Sequence, residues 1–254
     1  MDLLRDIMDS KTLMNSRELI TIVGAGGKTS TVFIMAKELK ALGKRVLVTT
    51  TTKIYKPEEK DYDQLYIGEK SPGIEKEGTS SSRQNSGEIV VWGGNTCKAG
   101  KLWGLKPERI DEVWKSQEFS WIIVEGDGAR GKNIKAPKED EPVIPFATTM
   151  VIGVIGMKVL GKPVVKSQVH RLELFQNVTG AKEGELIHEE MLRRLILHKQ
   201  GLFKGTPGHA KTLLLLNQCE DRQIRNRALS LGESLGVPFM VTSLQNGLIY
   251  GGKS

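Results

Sequence analysis

A glycine-rich turn between a short apolar strand and a helix is the feature that most constrains how this chain folds. Residues 19–23 form a run of β-forming side chains that ends at Gly24. Apolar residues at helical spacing follow, and Gly43 marks the end of the predicted helix. A second β-forming run covers residues 45–49. Strand, helix and strand in this order form a βαβ unit, which requires parallel strands joined by a crossover.

The rest of the chain continues this alternation. Several strand candidates are apolar throughout, as expected where helices cover both faces of a sheet. The strand candidates are residues 88–92, 121–125, 150–155, 213–217 and 239–242, and the helix candidates are residues 107–114, 188–198 and 221–235. The pattern predicts an α/β protein with a mostly parallel, doubly wound sheet. Residues 68–87 are rich in Gly, Ser, Glu and Lys, and we expect them to be an exposed insertion in a single domain of residues 1–254.

The turn itself has the composition of a phosphate-binding loop. Its glycines would let backbone N–H groups approach a phosphate at the positive end of the following helix. Lys28 would neutralise phosphate charge, and the Thr29 hydroxyl would bind Mg²⁺. The loop reads GxxGK[ST], two residues shorter than GxxxxGK[ST], and in this it resembles the loop of the ATP-binding Mur-type amide ligases. The predicted site for ATP or GTP with Mg²⁺ comprises Gly24, Ala25, Gly26, Gly27, Lys28, Thr29 and Ser30.

Two other strands end in side chains suited to the same site. The strand at residues 121–125 delivers Glu125 and Asp127, one of which would hold Mg²⁺ or orient an attacking water in a Walker-B arrangement. The same Glu-Gly-Asp-Gly sequence is also typical of a simple turn. The second strand ends in four threonines and Lys53, and the Thr51 hydroxyl would contact a phosphate or a metal-bound water. A threonine run also favours β-structure for its own sake.

Basic residues crowd the segments that follow these strand ends. Arg130, Lys132 and Lys135 would stabilise transferred charge or hold an anionic second substrate, with a solvated basic loop as the alternative. His170 and Arg171 follow a later strand and would reach the same crevice, although a lone histidine is more often structural.

The strand at residues 213–217 ends where a nucleotide base would bind. Asn217 begins the sequence Asn-Gln-Cys-Glu, which resembles the Asn-Lys-x-Asp of GTPases. Gln replaces Lys and Glu replaces Asp in this chain. We therefore expect Asn217 to contact a nucleotide base, but not with the guanine specificity that the GTPase motif confers.

The overall charge restricts the kind of partner. The chain has 37 Lys and Arg against 30 Asp and Glu, a net charge of +7, which favours anionic ligands. Aromatic residues make up only 6%, and no helix-turn-helix, RNA-recognition or zinc-finger pattern is present, so nucleic acid is not the expected partner. Charged residues from Asp2 to Asp9 leave no room for a signal peptide, and Cys97 and Cys219 form no CxxC pair. We expect a cytoplasmic protein without a membrane span.

The chain resembles a known family, the selenium-dependent molybdenum hydroxylase accessory proteins called YqeC. The blocks that carry the resemblance are VGAGGKT at residues 23–29, TTTTK at 49–53, KL, GL and PE within 101–108, VEGDGARG at 124–131, KAP at 135–137, EPVIP at 141–145 and VHR at 169–171. The family usually has Glu-Ala-Asp-Gly where this chain has Gly126 in second place, and Leu-Asn-Lys-x-Asp where this chain has Leu-Asn-Gln-Cys-Glu.

The resemblance implies a P-loop NTPase-like protein of the cytoplasm that helps to mature a selenium-dependent molybdenum hydroxylase. That enzyme, or a molybdenum-cofactor substrate, would be its partner. Three functions follow from residues and resemblance together. The first is Mg²⁺-dependent hydrolysis or transfer of a γ-phosphate, with Lys28, Glu125, Asp127 and Arg130 as catalytic residues. The second is an ATP-dependent Mur-like ligase or small-molecule kinase, and the third is a non-catalytic module that delivers a nucleotide or cofactor.

Overall fold

The central element is a sheet that places the glycine-rich turn near its middle. Within residues 2–72, 87–97 and 100–253, which the computed structural model describes, nine strands form this sheet. The strands of the chain are β1 (Glu18–Gly24), β2 (Arg45–Thr50), β3 (Ile54–Tyr55), β4 (Gln64–Ile67), β5 (Glu88–Gly93), β6 (Thr96–Cys97), β7 (Lys101–Leu102), β8 (Trp121–Glu125), β9 (Ile134–Lys135), β10 (Met150–Gly156), β11 (Val169–His170), β12 (Lys211–Asn217), β13 (Phe239–Ser243) and β14 (Leu248–Lys253). The order across the central sheet is β14-β13-β12-β10-β1-β8-β2-β5-β4.

Neighbouring strands of the central sheet run parallel, except that β14 is antiparallel to β13. β1 lies between β10 and β8, and the register pairs Ile22 with Glu125 and Gly24 with Val154. The carboxyl ends of β1, β8 and β10 therefore meet at one edge of the sheet, which is where open α/β sheets bind ligands.

Helices cover both faces of the sheet. They are α1 (Leu3–Ile7), α2 (Ser10–Asn15), α3 (Lys28–Ala41), α4 (Pro107–Ser116), α5 (Leu172–Thr179), α6 (Glu189–Leu197) and α7 (Arg222–Leu235). On one face, Leu4 of α1 and Met35 of α3 pack with Ile20 and Ile22 of β1. On the other, α4 covers one half of the sheet and α5, α6 and α7 cover the other half. The α/β class and the mostly parallel sheet are confirmed, and the two helical layers fit a doubly wound arrangement.

Two small sheets are built at the ligand-binding edge. A three-stranded sheet has the order β3-β7-β6, and a two-stranded sheet pairs β11 with β9. β3 comes soon after β2, and β9 and β11 come after β8 and β10, so these small sheets extend the strand ends around the glycine-rich turn. The N–H of Leu105 donates to the carbonyl oxygen of Thr50 at 2.8 Å and fastens the segment after β7 to the end of β2.

The predicted strands and helices are confirmed to within about two residues at each end. α1, α2, α5, β4, β14 and the small sheets were not predicted. The insertion predicted at residues 68–87 falls mostly on residues 73–86, which lie outside the described residues. Among the helices of the described ranges, each is too short or too polar to cross a lipid bilayer.

Candidate functional site

The glycine-rich loop presses against β10. Gly24 and Gly26 have φ angles of +94° and +92°, which side chains other than glycine rarely adopt. A Cβ atom on Gly24 would lie 2.3 Å from the carbonyl oxygen of Val154, and one on Gly26 would lie 2.2 Å from the nitrogen of Gly156. Glycine is therefore required at both positions, because the loop must turn sharply and approach another backbone closely.

Lys28, the first residue of α3, folds back beneath this loop. Its side chain is 4% exposed, and its Nζ atom donates to the carbonyl oxygen of Gly24 at 2.7 Å. The same Nζ atom lies 3.4 Å from Oδ1 of Asp127 and 3.8 Å from Oε1 of Glu125. Oδ1 of Asp127 also accepts a hydrogen bond from the backbone N–H of Gly24 at 3.1 Å. The loop amide and the lysine thus both bind a carboxylate of the protein.

Glu125 forms a second contact with the start of α3. The Thr29 hydroxyl donates to Oε2 of Glu125 at 2.8 Å. Burial raises the pKa of Glu125, and the nearby charge of Asp127 adds to the effect, while Lys28 and Thr29 oppose it. A hydroxyl and a carboxylate side by side are hard oxygen ligands that suit Mg²⁺, which usually completes its shell with waters and substrate phosphates. Among the described residues, no group of three or more His, Cys, Asp or Glu is arranged to hold a metal.

A chain of buried charges supports Asp127 from behind. The Nζ atom of Lys135 lies 2.9 Å from Oδ2 of Asp127 and 2.7 Å from Oε2 of Glu141, and the lysine side chain is 1% exposed. Both terminal nitrogens of Arg171 bind the carboxylate of Glu141. Burial alone raises the pKa of Glu141, but hydrogen bonds from Arg171 and Lys135 outweigh it and lower the pKa to about 2. Lys135 therefore belongs to an internal ion network, whereas the sequence placed it among the cations of the crevice.

A cleft of about 820 Å³ opens at this edge of the sheet. Of the residues predicted for the site, those lining it are Gly26, Gly27, Lys28, Thr29, Ser30, Thr51, Lys53, Glu125, Arg130, Lys132, His170 and Arg171. Asp127 lies beneath it at 2% exposure, and Gly24 and Ala25 are buried in the loop. The structure thus brings most of the predicted residues together around one space.

His170 is half-buried in the wall of this cleft. Burial lowers its pKa to about 4, and the positive charges of Arg171, Lys135 and Arg130 contribute to the shift. Its imidazole is therefore neutral at pH 7.

The threonine run mainly fastens strand ends together. The hydroxyls of Thr49, Thr50 and Thr51 donate to the carbonyl oxygens of Trp92, Glu125 and Val143 at 2.8, 3.0 and 2.7 Å. These bonds hold β2 against β5 and β8 and hold the segment after β9 against the end of β2. Thr51 nonetheless lines the cleft, as its predicted role requires.

Asn217 braces the loop from the other side. Its Nδ2 atom donates to the carbonyl oxygen of Gly26 at 2.8 Å, and its Oδ1 atom accepts from the N–H of Leu244 at 3.1 Å. Asn217 also lines a second cleft of about 440 Å³, together with Gly27, Phe33 and Leu244. The predicted base-contact residue therefore lies beside the loop, at a second space that adjoins it.

Comparison with known proteins identifies the family. The sequence model of the YqeC protein family matches residues 20–173. The chain belongs to the YqeC family. It is 36% identical over 206 residues to the uncharacterized protein YqeC of Escherichia coli (strain K12). The aligned region covers 80% of this chain and 78% of the E. coli protein. No solved structure matches the chain.

The part of the chain that matches the YqeC model contains the loop and further residues that line the large cleft. Tyr55, Lys101 and Trp103 line the large cleft, and none of them was predicted from the sequence as a site residue. The sequence feature that could have indicated them is the close spacing of aromatic residues and lysines next to strand ends. The role of Glu141 was also missed, because its partners Lys135 and Arg171 are separated from it along the chain. Asn217 lies beyond the part that matches the YqeC model.

Proposed function

We propose that the protein binds a nucleoside triphosphate with Mg²⁺, either ATP or GTP, and hydrolyses or transfers the γ-phosphate. The observation that carries the proposal is the meeting of the glycine loop, buried Lys28 and the Thr29–Glu125 pair at the carboxyl ends of β1 and β8. On the same basis we assign the sheet to the P-loop NTPase class. Following the resemblance noted from the sequence, we further propose that this activity serves the maturation of a selenium-dependent molybdenum hydroxylase.

The loop and α3 would bind the phosphates. Backbone N–H groups of the loop lie at the N-terminal end of α3, where the helix dipole favours a negative charge. The Lys28 ammonium would exchange its bond with the Gly24 carbonyl oxygen for one with a phosphate oxygen. The new bond would join two charged groups, whereas the carbonyl oxygen that it replaces is uncharged, so the phosphate is the stronger acceptor.

Thr29 and Glu125 would hold Mg²⁺, which supplies charge neutralisation to the phosphates. Asp127 has a different role in this proposal, because its carboxylate already binds Lys28, Lys135 and the backbone N–H of Gly24. It orients the lysine beneath the loop. Arg130 lines the cleft and would stabilise charge on the transferred group.

The second cleft would hold the base. Phe33 and Leu244 offer apolar contact, and Gln218 and Gln245 offer hydrogen-bonding groups of both kinds. Amide side chains can pair with the edge of either purine, so this lining does not commit the site to guanine.

A second candidate is a ligase or kinase that joins or phosphorylates an acceptor. It is favoured by the cations Lys53, Arg130 and Lys132, which line the same cleft as Lys28. Nucleotide turnover that rises when an acceptor is added would support this candidate over plain hydrolysis. Tight nucleotide binding without turnover across acceptors would instead support a delivery module.

The proposed function is tested by nucleotide-induced thermal stabilisation. At about 100 times its Kd, a ligand adds roughly 2.7 kcal/mol to stability, which is several degrees in melting temperature. We expect the Lys28→Ala variant to lose this shift with MgATP and MgGTP. The exposed Lys199 supplies a matched control, because Lys199→Ala removes the same charge outside both clefts. Equal shifts in Lys28→Ala and the parent protein would refute the proposal.

The metal assignment has its own matched pair. Thr29→Val removes a hydroxyl bonded to Glu125 at 2.8 Å, and Thr12→Val removes one bonded to Asp9 at the same distance on the surface. We expect the Mg²⁺ concentration for half-maximal nucleotide binding to rise about tenfold or more in Thr29→Val, as the loss of a good ligand contact implies. Thr12→Val should behave like the parent. An unchanged Mg²⁺ requirement in Thr29→Val would remove Thr29 from the metal site.

A further inference from the structure

Two exposed aromatic rings, each covered by a lysine, belong to the lining of the large cleft that the glycine loop also lines. Trp103 is 46% exposed and Tyr55 is 73% exposed. The Nζ atom of Lys53 lies 3.3 Å from the centre of the Trp103 ring, and that of Lys101 lies 4.3 Å from the centre of the Tyr55 ring. Tyr55 and Lys101 are direct partners across β3 and β7. We call these four residues the aromatic wall.

The aromatic wall is fixed to the phosphate-loop side of the sheet. A Cβ atom on Gly104 would lie 2.2 Å from the carbonyl carbon of Thr51, so the segment after Trp103 runs in close contact with the end of β2. The same β2 end is bonded through Thr50 to the carbonyl oxygen of Glu125 at 3.0 Å. Packed backbone thus connects the aromatic wall to the strand end that carries Glu125, and both contribute to the lining of the same cleft.

Positively charged side chains outnumber the carboxylates in the lining of this cleft. Within the part of the chain that the structure describes, Lys53, Lys101 and Arg130 form no ion pair with a carboxylate. The three carboxylates of the cleft lining are already engaged, Glu125 by Thr29 and Lys28, Glu141 by Lys135 and Arg171, and Asp140 by Lys138. An anion entering the cleft would therefore meet positive charge without a competing acid at the wall.

We propose that the aromatic wall binds a second substrate that consists of a planar heteroaromatic ring with an anionic group. The ring stacks on Trp103 in place of Lys53, and the displaced ammonium, together with that of Lys101, pairs with the anion. A single cation over an exposed ring is a weak contact, and stacking of a flat ring is stronger, so the exchange is favourable. The inference rests on the proposed function and deepens it, because it names the class of acceptor that faces the nucleotide.

The dimensions and placement favour a small molecule over a nucleic acid strand. The rings line a cleft of about 820 Å³ that ends at the phosphate loop, a volume in the range of small-molecule sites. A strand of nucleic acid would need a continuous groove with successive stacking platforms.

The test uses FMN as a probe, because it combines a flat ring system with one phosphate. Binding to the full chain is followed by FMN fluorescence anisotropy, with riboflavin as the probe without phosphate and pyrophosphate as the competitor without a ring. We expect FMN to bind about tenfold or more tightly than riboflavin, because the phosphate gains charge-assisted contacts. Trp103→Ala should weaken FMN binding about tenfold, the typical loss for one stacked ring, while Trp103→Phe retains it.

Matched variants distinguish the loss of the aromatic wall from the loss of any exposed ring or any surface charge. Phe146 is 76% exposed outside this cleft, so Phe146→Ala controls for the loss of a surface ring. Lys101→Ala should weaken FMN binding and Lys199→Ala should not. Failure of FMN to bind, equal binding by Trp103→Ala, or displacement of FMN by a single-stranded oligonucleotide at lower concentration than by pyrophosphate would each overturn the inference.

The same probe distinguishes this inference from the proposed function. If nucleotide binding fails in the parent protein but FMN binds in a Trp103-dependent manner, the wall is a ligand site and the nucleotide assignment is wrong. If MgATP binds in a Lys28-dependent manner but FMN does not bind, the proposed function stands and the wall is not the acceptor site.

Discussion

At the scale of single residues, Lys135 holds together two carboxylates, Asp127 from the segment after β8 and Glu141 from the segment after β9. Moving an ammonium group into the protein interior costs several kcal/mol even after relaxation, so it must be compensated by close partners. Lys135 has carboxylates at 2.9 and 2.7 Å and the carbonyl oxygen of Gly128 at 2.8 Å, which match its three N–H donors. This complete set of partners explains how a charged side chain can be 1% exposed.

Removing this lysine should destabilise the protein strongly. Lys135→Met keeps most of the volume but leaves Asp127 and Glu141 without their shared cation, and we expect a loss of about 3–5 kcal/mol in the free energy of unfolding. The measurement is urea denaturation at pH 7. Lys138→Met breaks the exposed pair with Asp140 and should cost less than about 1 kcal/mol. Similar losses in the two variants would show that the buried network contributes no more than a surface pair.

The residues of the site differ in how well the sequence predicts them. Lys28, Thr29 and Glu125 lie together as predicted, because a loop between strand and helix and the end of a parallel strand have few possible positions. Lys135 was expected at the crevice, since lysine is rarely fully buried. Its burial depends on Glu141 and Arg171, whose positions follow from the loops after β9 and β11.

At the scale of elements, the glycine loop and β10 form one packed unit. Besides the close approach at Gly24 and Gly26, the N–H of Ala25 donates to the carbonyl oxygen of Val154 at 2.9 Å, and Asn217 holds the loop from β12. The loop is thus attached to two strands, β10 and β12, that do not carry the residues proposed to hold Mg²⁺. Its shape depends on β10 and β12 as well as on its own glycines.

A pair of glycine variants separates the backbone strain from the packing. Gly161 has a φ of +75° and no atom within 4 Å of a Cβ built on it, so Gly161→Ala reports strain alone, about 1–2 kcal/mol. Gly26→Ala adds a clash with the backbone of Gly156, and we expect a larger loss of stability together with loss of nucleotide binding. Urea denaturation and thermal shift with MgATP give the two readouts. Equal losses of stability would mean that β10 yields to the added methyl group.

The elements that the sequence did not predict fall into three physical groups. β3, β6, β7, β9 and β11 are two residues long, too short to show any period. β14 contains Gly251 and Gly252, which weaken a strand pattern, and its antiparallel pairing with β13 supplies the order. α5 carries Leu172, Phe175 and Thr179 at helical spacing, but it is only eight residues long, so its pattern covers little more than two turns. The long apolar strands of the centre were predictable because burial on both faces leaves no polar alternation.

At the scale of the whole molecule, two partly buried titratable groups link the site to acid stability. Glu141 and His170 both have pKa values below those they would have in the unfolded chain, 4.5 and 6.5. The unfolded chain therefore takes up protons first as the pH falls, and both groups make the folded state less stable in acid. The two groups lower the stability in different pH ranges. His170 does so between pH 6.5 and about 4, and Glu141 does so between pH 4.5 and about 2.

Two variants should each reduce the pH dependence of the free energy of unfolding in one pH range. In His170→Gln the free energy of unfolding should fall less between pH 6.5 and 4 than in the parent, and in Glu141→Gln it should fall less below pH 4.5. Glu141→Gln should also be less stable than the parent at pH 7, since Arg171 and Lys135 lose a charge partner. The measurement is urea denaturation at a series of pH values. An unchanged slope in either window would contradict the assigned pKa of that residue.

The carboxylate of Asp127 beneath the loop has a consequence for ligand exchange under the proposed function. The Gly24 amide and Lys28 already bind this internal anion, so any phosphate that recruits them competes with a tethered rival at a very high local concentration. This competition lowers the affinity for the phosphate. It also speeds product release, because the contact of Asp127 with Lys28 and the Gly24 amide re-forms as the product leaves. A site of this kind favours rapid renewal of its nucleotide over long residence.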